Sequence, residues 1–172
     1  AGDRLADCVL ISGGDLPTLQ PAILIDAFSK LEALSSSEAG LKMATKKVRD
    51  RDGKLIGAAV VEGACQEGGF SLVGFTCTTN FDFHSVFYNK DGITALDMLA
   101  NKVEDGNIPV AYVESVPDID IPVDLASAIP VLRMIKLSAQ YNPAIMVPQR
   151  VIDYLQEIGL QSIALPPERI QT

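Results

Sequence analysis

Cys8-Val9-Leu10-Ile11-Ser12-Gly13-Gly14-Asp15-Leu16-Pro17-Thr18 reads as a strand that stops at two glycines and gives way to a carboxylate. A short continuous apolar run of this kind fits a strand buried on both faces. Beyond it, Ile23, Ala27, Leu31 and Leu34 recur at helical spacing. Pro21 suits the first turn of that helix, where its missing N–H costs little. Strand, polar loop and helix in this order are the start of an α/β layered unit.

The rest of the chain continues the alternation. Leu41–Val48 and Lys54–Val61 are expected as strands around Arg49-Asp50-Arg51-Asp52-Gly53, where Asp-Gly signals a hairpin. Phe70–Phe75 reads as a further strand. Ile93, Leu96, Leu99 and Ala100 repeat helically, with Asp91 placed as an N-cap and Gly106-Asn107 as the stop. Pro109–Val113 is expected as a strand and Pro122–Ile135 as a helix that Pro130 kinks or splits. Pro148–Ile158 is a final amphipathic helix with Gly159 at its C′ position. There is no internal repeat and no low-complexity linker; Ser35-Ser36-Ser37 is a short loop. The pattern predicts one α/β domain with a mixed sheet over residues 1–172. Residues 1–138 carry sheet, helices and motifs, and 139–172 form a helical extension.

Composition limits the function classes. The chain has 172 residues, 48% of them hydrophobic and 21% charged, enough for a packed core. That excludes a disordered chain, a collagen-like chain and a disulfide-framework miniprotein. No run approaches about 18 consecutive apolar residues, so no membrane span is expected. The net charge is −8. The one dense basic run, Lys46-Lys47-Val48-Arg49-Asp50-Arg51, is interrupted by acid and fits a solvated hairpin, so nucleic acid is not an expected partner. Cys8, Cys65 and Cys77 match no zinc spacing and no closed disulfide set. Cys8 reads as a small core residue, and Cys65, in a glycine-rich loop, as an inert or a reactive thiol. A reduced, cytoplasmic protein is the expectation, and Ala1-Gly2-Asp3-Arg4-Leu5 does not read as a signal peptide.

In open sheets of this class, ligands bind beyond the carboxyl ends of the strands, and three polar loops lie there. In the first, Asp15 follows the strand, Gly13 and Gly14 let a ligand approach the backbone, Pro17 stiffens the turn and Thr18 follows it. An Asp so placed can hold a divalent cation that bridges phosphate oxygens; it can equally be a plain turn in which Asp15 caps the next helix. In the second, Glu62-Gly63-Ala64-Cys65-Gln66-Glu67-Gly68-Gly69-Phe70, Gly68 and Gly69 can open the backbone to a sugar or phosphate and Glu67 can accept from hydroxyls. The alternative is a flexible loop with solvated acids. In the third, Pro117-Asp118-Ile119-Asp120-Ile121-Pro122, Asp118 and Asp120 share one side of an extended segment. Near Asp15 they would complete a dication site; otherwise Asp120 caps the helix and Asp118 is solvated. His84, the only histidine, has Phe81, Phe83 and Phe87 around it and reads as packing or surface more readily than as a substrate contact.

Together, strand-Gly-Asp-Leu-Pro-Thr-Leu, Glu-Gly-Gly-Phe-Ser-Leu-Val-Gly and Asp-Ile-Asp-Ile-Pro-Val-Asp-Leu resemble the GT-A-fold nucleotide-diphospho-sugar transferase superfamily. The nearest branch is a bacterial glycosyltransferase-like family with Ser-Asp-Cys-Pro, Glu-Asp-Gly-Gly-Tyr and Asp-Val-Asp-Thr-Pro-Glu-Asp-Leu. The resemblance covers roughly residues 2–160. It implies a three-layer sandwich with a mixed, mostly parallel sheet and a site for a nucleotide-sugar or nucleoside triphosphate with Mg²⁺ or Mn²⁺. It further implies that Asp15, Asp118 and Asp120 hold the metal. Gly13, Gly14, Pro17 and Thr18 would then line the donor. Gly68, Gly69 and Phe70 would line the acceptor, with Glu67 as acceptor contact or general base. Thr18 stands where the family often has an acid, Glu67 replaces Asp, Phe70 replaces Tyr, and Ile121 replaces Thr. The family's first strands and basic nucleotide loop have no counterpart in this sequence. The expectation is therefore a fragment, a divergent remnant, or a chain whose sheet a partner or second copy completes.

Three functions follow from the resemblance. The leading one is metal-dependent glycosyl transfer from a nucleotide-diphospho-sugar. The second is nucleotidyl transfer from a nucleoside triphosphate to a phosphorylated acceptor. The third is a non-catalytic binding or oligomerisation domain.

Overall fold

In the computed structural model, which describes residues 6–86 and 92–162, the opening run forms strand β1 (Cys8–Ser12) and helix α1 (Pro21–Ser35). Pro21 occupies the first helical turn, as its fixed φ favours. Strands β4 (Val60–Ala64), β5 (Phe70–Thr76) and β6 (Val110–Tyr112) join β1 in a sheet of order β1-β5-β4-β6. β4 and β6 pair in parallel, while β1–β5 and β4–β5 are antiparallel. The sheet is mixed, but not mostly parallel as the resemblance implied. Only Cys65–Gly69 separates β4 from β5, a hairpin-length connection that forces antiparallel pairing. The link from β5 to β6 is long enough to carry helix α3 (Ala95–Asp105), and β6 thereby returns parallel to β4.

Alternation along β4 and β5 builds two cores. Val61 and Leu72 face one side, against Ala27 and Leu31 of α1 and Val113. Val60 and Val73 face the other, against Leu99 and Val103 of α3, with Val86 and Ile108. Helix, sheet and helix thus form three layers. β1 departs from expectation. Cys8 and Leu10 pack on the α1 side, but Val9 and Ile11 are 45% and 47% exposed. β1 ends the sheet, pairing with β5 alone, and among the described residues no layer covers its second face.

The segment before the hairpin also differs. Leu41–Val48 is not a strand: Glu38–Met43 forms helix α2, started by Ser37, whose hydroxyl accepts the Gly40 N–H at 3.0 Å. Only β2 (Val48–Arg49) and β3 (Leu55–Ile56) pair, around the expected Asp-Gly turn. The Asp50 N–H donates to the Lys54 carbonyl at 2.9 Å, with Gly53 at φ 83°. Gly57 separates β3 from β4 because α2 lies against it. A Cβ there would stand 2.4 Å from the Gly40 carbonyl carbon and from the Ser35 carbonyl oxygen. Thr94 caps α3, accepting the Asp97 N–H at 3.2 Å; the expected cap, Asp91, lies outside the described residues.

The chain divides into two compact units, Ala1–Asp118 and Ile119–Thr172. In the second, α4 (Pro122–Ser138) and α5 (Gln149–Glu157) bury Leu132, Ile152 and Leu155 together. Pro130 lies inside α4 without splitting it, though it can offer no N–H to the Ala126 carbonyl. Gly159, at φ 68°, follows α5 as expected. No helix among the described residues is long and apolar enough to cross a membrane.

Leu31, 1% exposed at the centre of the α1-side core, sets a stability test. Leu31→Ala should lower the unfolding free energy by about 2–5 kcal/mol. Ile25→Ala, on the outer face of α1 at 66% exposure, should change it by less than about 0.5 kcal/mol. Urea unfolding followed by circular dichroism measures both.

Candidate functional site

The topology gathers the loops on one end of the sheet. β1 ends at Ser12, paired with Leu72 near the start of β5. β4 ends at Ala64, opposite Phe70, and β6 runs parallel to β4. The loops after β1, after β4 and after β6 therefore leave the same edge, where such sheets bind ligands. Backbone bonds tie them to the strands: the Gly13 N–H donates to the Ser71 carbonyl at 2.9 Å and the Val116 N–H to the Ala64 carbonyl at 3.1 Å. A bulge opens this end of the β4–β5 pair, because the register steps from Gly63–Leu72 to Ala64–Phe70. The odd residue, Ser71, is 1% exposed, and its hydroxyl donates to the Gly63 carbonyl at 3.0 Å.

In the first loop Gly13, Gly14 and Asp15 are exposed, Pro17 and Thr18 half-buried, and Leu16 anchors the loop in the core. A Cβ on Gly13 would meet the Asp15 carboxylate at 2.9 Å, so that carboxylate folds back over the glycine backbone. Asp15 does not cap the next helix. The N-cap of α1 is Gln20, which makes no capping bond.

The second loop is a single 3-10 turn, Gln66–Gly68. Glu67 is exposed and left-handed at φ 62°, a conformation that costs a non-glycine residue about 1–3 kcal/mol. Gly68 has φ 77°, and a Cβ there would stand 2.7 Å from the Thr94 side chain, so glycine is required twice over. A Cβ on Gly69 would meet the Cys65 sulfur at 2.6 Å. The Phe70 ring packs on the α3-side core.

Gln66 was not singled out by the sequence, and it organises the third loop. Its Nε2 donates to the Asp118 carbonyl at 2.7 Å, and its Oε1 accepts the Asp118 N–H at 3.2 Å. One amide thus pairs both backbone groups of a residue 52 positions away, as a neighbouring strand would. With its backbone fixed, Asp118 has a buried Oδ1 without a hydrogen-bond partner. A shielded acceptor of this kind is stabilised by a donor or a cation supplied by a ligand. No rule of spacing links Gln66 to Asp118; the only signal was a polar amide inside a glycine-rich turn.

Asp120 lies in the second unit. The Asp120 and Ile121 N–H groups donate to Asp124 Oδ2 at 3.2 and 3.0 Å, so Asp124 caps α4 in the role left open for Asp120. Hard carboxylate oxygens suit Mg²⁺ or Mn²⁺, and the orphaned Asp118 oxygen fits such an ion. Among the described residues, however, no three His, Cys, Asp or Glu side chains are gathered to hold a metal. His84 is exposed, its N–H donating to Asp82 Oδ1 at 2.9 Å, while Phe81 and Phe83 pack against the α3-side core. None of the three cysteines forms a disulfide, and burial pushes the Cys8 thiol up.

Glu62 is a carboxylate apart from these loops. It follows Val60 on the α3 face of β4, and its Oε2 is buried with no hydrogen-bond partner. Burial pushes its pKa above the usual 4.5.

Residues 2–90, about half of the chain, match the profile of a family described as "Uncharacterized protein conserved in bacteria" (DUF2064). Among solved structures, the chain is similar to a Desulfovibrio desulfuricans protein described as a "putative nucleotide-diphospho-sugar transferase". The TM-score is 0.59 at 16% identity, over 91% of this chain and 55% of that one. The present sequence therefore spans little more than half the length of that protein, and at this identity the likeness is one of fold. No curated protein matches the sequence.

Two expectations come from the unpartnered carboxylates. Gln66→Ala should cost about 1–2 kcal/mol and shift the Asp118 amide resonance, read by urea unfolding and by ¹H–¹⁵N NMR. Glu62→Leu should raise the unfolding temperature at pH 7. The raised folded-state pKa makes the protonated form the stabilising one; its contribution is complete below the unfolded value of 4.5 and lost as pH rises through the folded value. The gain from Glu62→Leu should therefore shrink as pH falls through the raised folded-state value towards 4.5 and level off below it, measured by thermal unfolding from pH 3.5 to 8.

Proposed function

This chain belongs to the bacterial family whose profile spans residues 2–90, and from that premise we propose that it carries the acceptor side and metal-binding acids of a nucleotide-diphospho-sugar-dependent glycosyltransferase. The observation that carries the reading is the convergence of the three loops on one sheet end, with Asp118 fixed by Gln66 and its Oδ1 left without a partner. The fold likeness to the Desulfovibrio protein supports it.

In this reading Asp118, whose Oδ1 has no hydrogen-bond partner, meets the Mg²⁺ or Mn²⁺ that the donor brings, with Asp15 on the neighbouring loop of the same sheet end. When bound, the ion neutralises charge that develops on the diphosphate leaving group. Gly13 and Gly14 let the diphosphate approach the backbone, flanked by Pro17 and Thr18. The left-handed turn at Glu67-Gly68 presents the Glu67 carboxylate outward, where it accepts the proton of the acceptor hydroxyl as that oxygen attacks the sugar carbon. Gly68 and Gly69 leave room for the acceptor, and Phe70 roots the turn in the core.

Thermal shift against UDP-, GDP-, CDP- and ADP-sugars and nucleoside triphosphates, with and without Mn²⁺, tests the proposal. A nucleotide-sugar at 100 times its dissociation constant should stabilise by about 2.7 kcal/mol, only with Mn²⁺ and not in Asp118→Asn or Asp15→Asn. A shift with triphosphates alone would favour nucleotidyl transfer. No shift with any ligand, in a folded sample, would leave a non-catalytic binding domain.

A further inference from the structure

A cavity of about 400 Å³ lies between β4, α3 and the start of β6. Its walls are apolar, with Leu99, Val103 and Ile108 among them. Its polar groups are Glu62, Glu104 and the Asn107 amide, and no Lys, Arg or His is among the described residues that line it. The volume falls in the range of small-molecule sites, which join an apolar body to a few placed polar groups. Glu62 is the one lining group whose burial has no structural use. On the same face of the sheet, Val60 and Val73 fill the core with α3, whereas Glu62 shields an oxygen that bonds to nothing. A buried acceptor without a partner is destabilising, and residues kept against stability concentrate at functional sites.

We propose that this cavity is a second ligand site, separate from the loop end of the sheet, and that it takes a small molecule with a protonated aliphatic amine on an apolar body. The ammonium group supplies the donor that Glu62 Oε2 lacks. Glu104 adds a second negative charge at the lining, and the Asn107 amide can orient the head group. The apolar body covers Leu99, Val103 and Ile108. The same two carboxylates repel phosphates and carboxylates, so the nucleotide ligands of the loop end are excluded here. The site does not depend on the transferase reading, because it shares no residue with Asp15, Glu67 or Asp118.

The experiment is a ¹H–¹⁵N NMR titration of the full chain with hexylamine, hexanol and hexanoate at pH 7. Hexylamine should bind saturably, with shifts centred on Glu62, Val103 and Asn107, and at least tenfold more tightly than hexanol. Hexanoate should not bind. Glu62→Leu, which keeps an apolar wall, should weaken hexylamine at least tenfold and leave hexanol unchanged or stronger. Ala100→Phe, which fills the cavity and spares the acid, should abolish binding of both. Equal affinity for amine and alcohol, unchanged amine binding in Glu62→Leu, or no binding of hexylamine would each overturn the proposal.

Discussion

Strands β4 and β5 put Val61 and Leu72 on one face and Val60 and Val73 on the other, and both cores of the N-terminal unit are built on those pairs. The strands are central in the sheet and joined by a connection too short to be anything but a hairpin. Burial on both faces makes their register strict, since a slip of one residue would exchange the two sets. Among the described residues, the irregularity in their pairing is at the loop end, where Ser71 is accommodated as an extra residue and its hydroxyl satisfies a strand carbonyl. The rigid part of the sheet thus fixes where the strands end, and the bulge sets how the adjoining turn leaves.

The site has the mixed character expected when precise positions rest on a stiff scaffold. Asp15 is exposed over two glycines, Glu67 sits in a left-handed conformation, and Asp118 is held by its backbone with an oxygen to spare. Each feature costs stability or adds none. Each is held by something stiffer: Leu16 in the core, Gly68 against Thr94, and Gln66 against Asp118.

Much of this was legible in the residues. The apolar run at Cys8–Ser12, Pro21 at a helix start, Asp-Gly at the hairpin and Gly159 after the last helix act locally, and the structure follows them. The three loops could be named because each joins a strand to polar residues. Expectation failed where a distant partner decided. Leu41–Met43 is helical because Ser37 caps the turn and Gly40 meets Gly57. β1 is half-exposed because sheet order, not its own apolarity, decides what covers it. The antiparallel pairing of β4 and β5 follows from their short connection, which the resemblance to a mostly parallel family obscured. Gln66 was passed over because its function is defined by a residue far along the chain.

The two hydrogen bonds between Gln66 and Asp118 make the second and third loops a single mechanical element. Gln66 belongs to the same turn as Glu67 and Gly68, so an occupant that orders that turn also orders the backbone of Asp118. Linkage is reciprocal. Whatever factor one ligand bound at the turn would add to the affinity for a second bound at Asp118, the second would return to the first. Order of arrival would then affect neither final affinity, and the turn and Asp118 would respond as one coupled unit without any large motion.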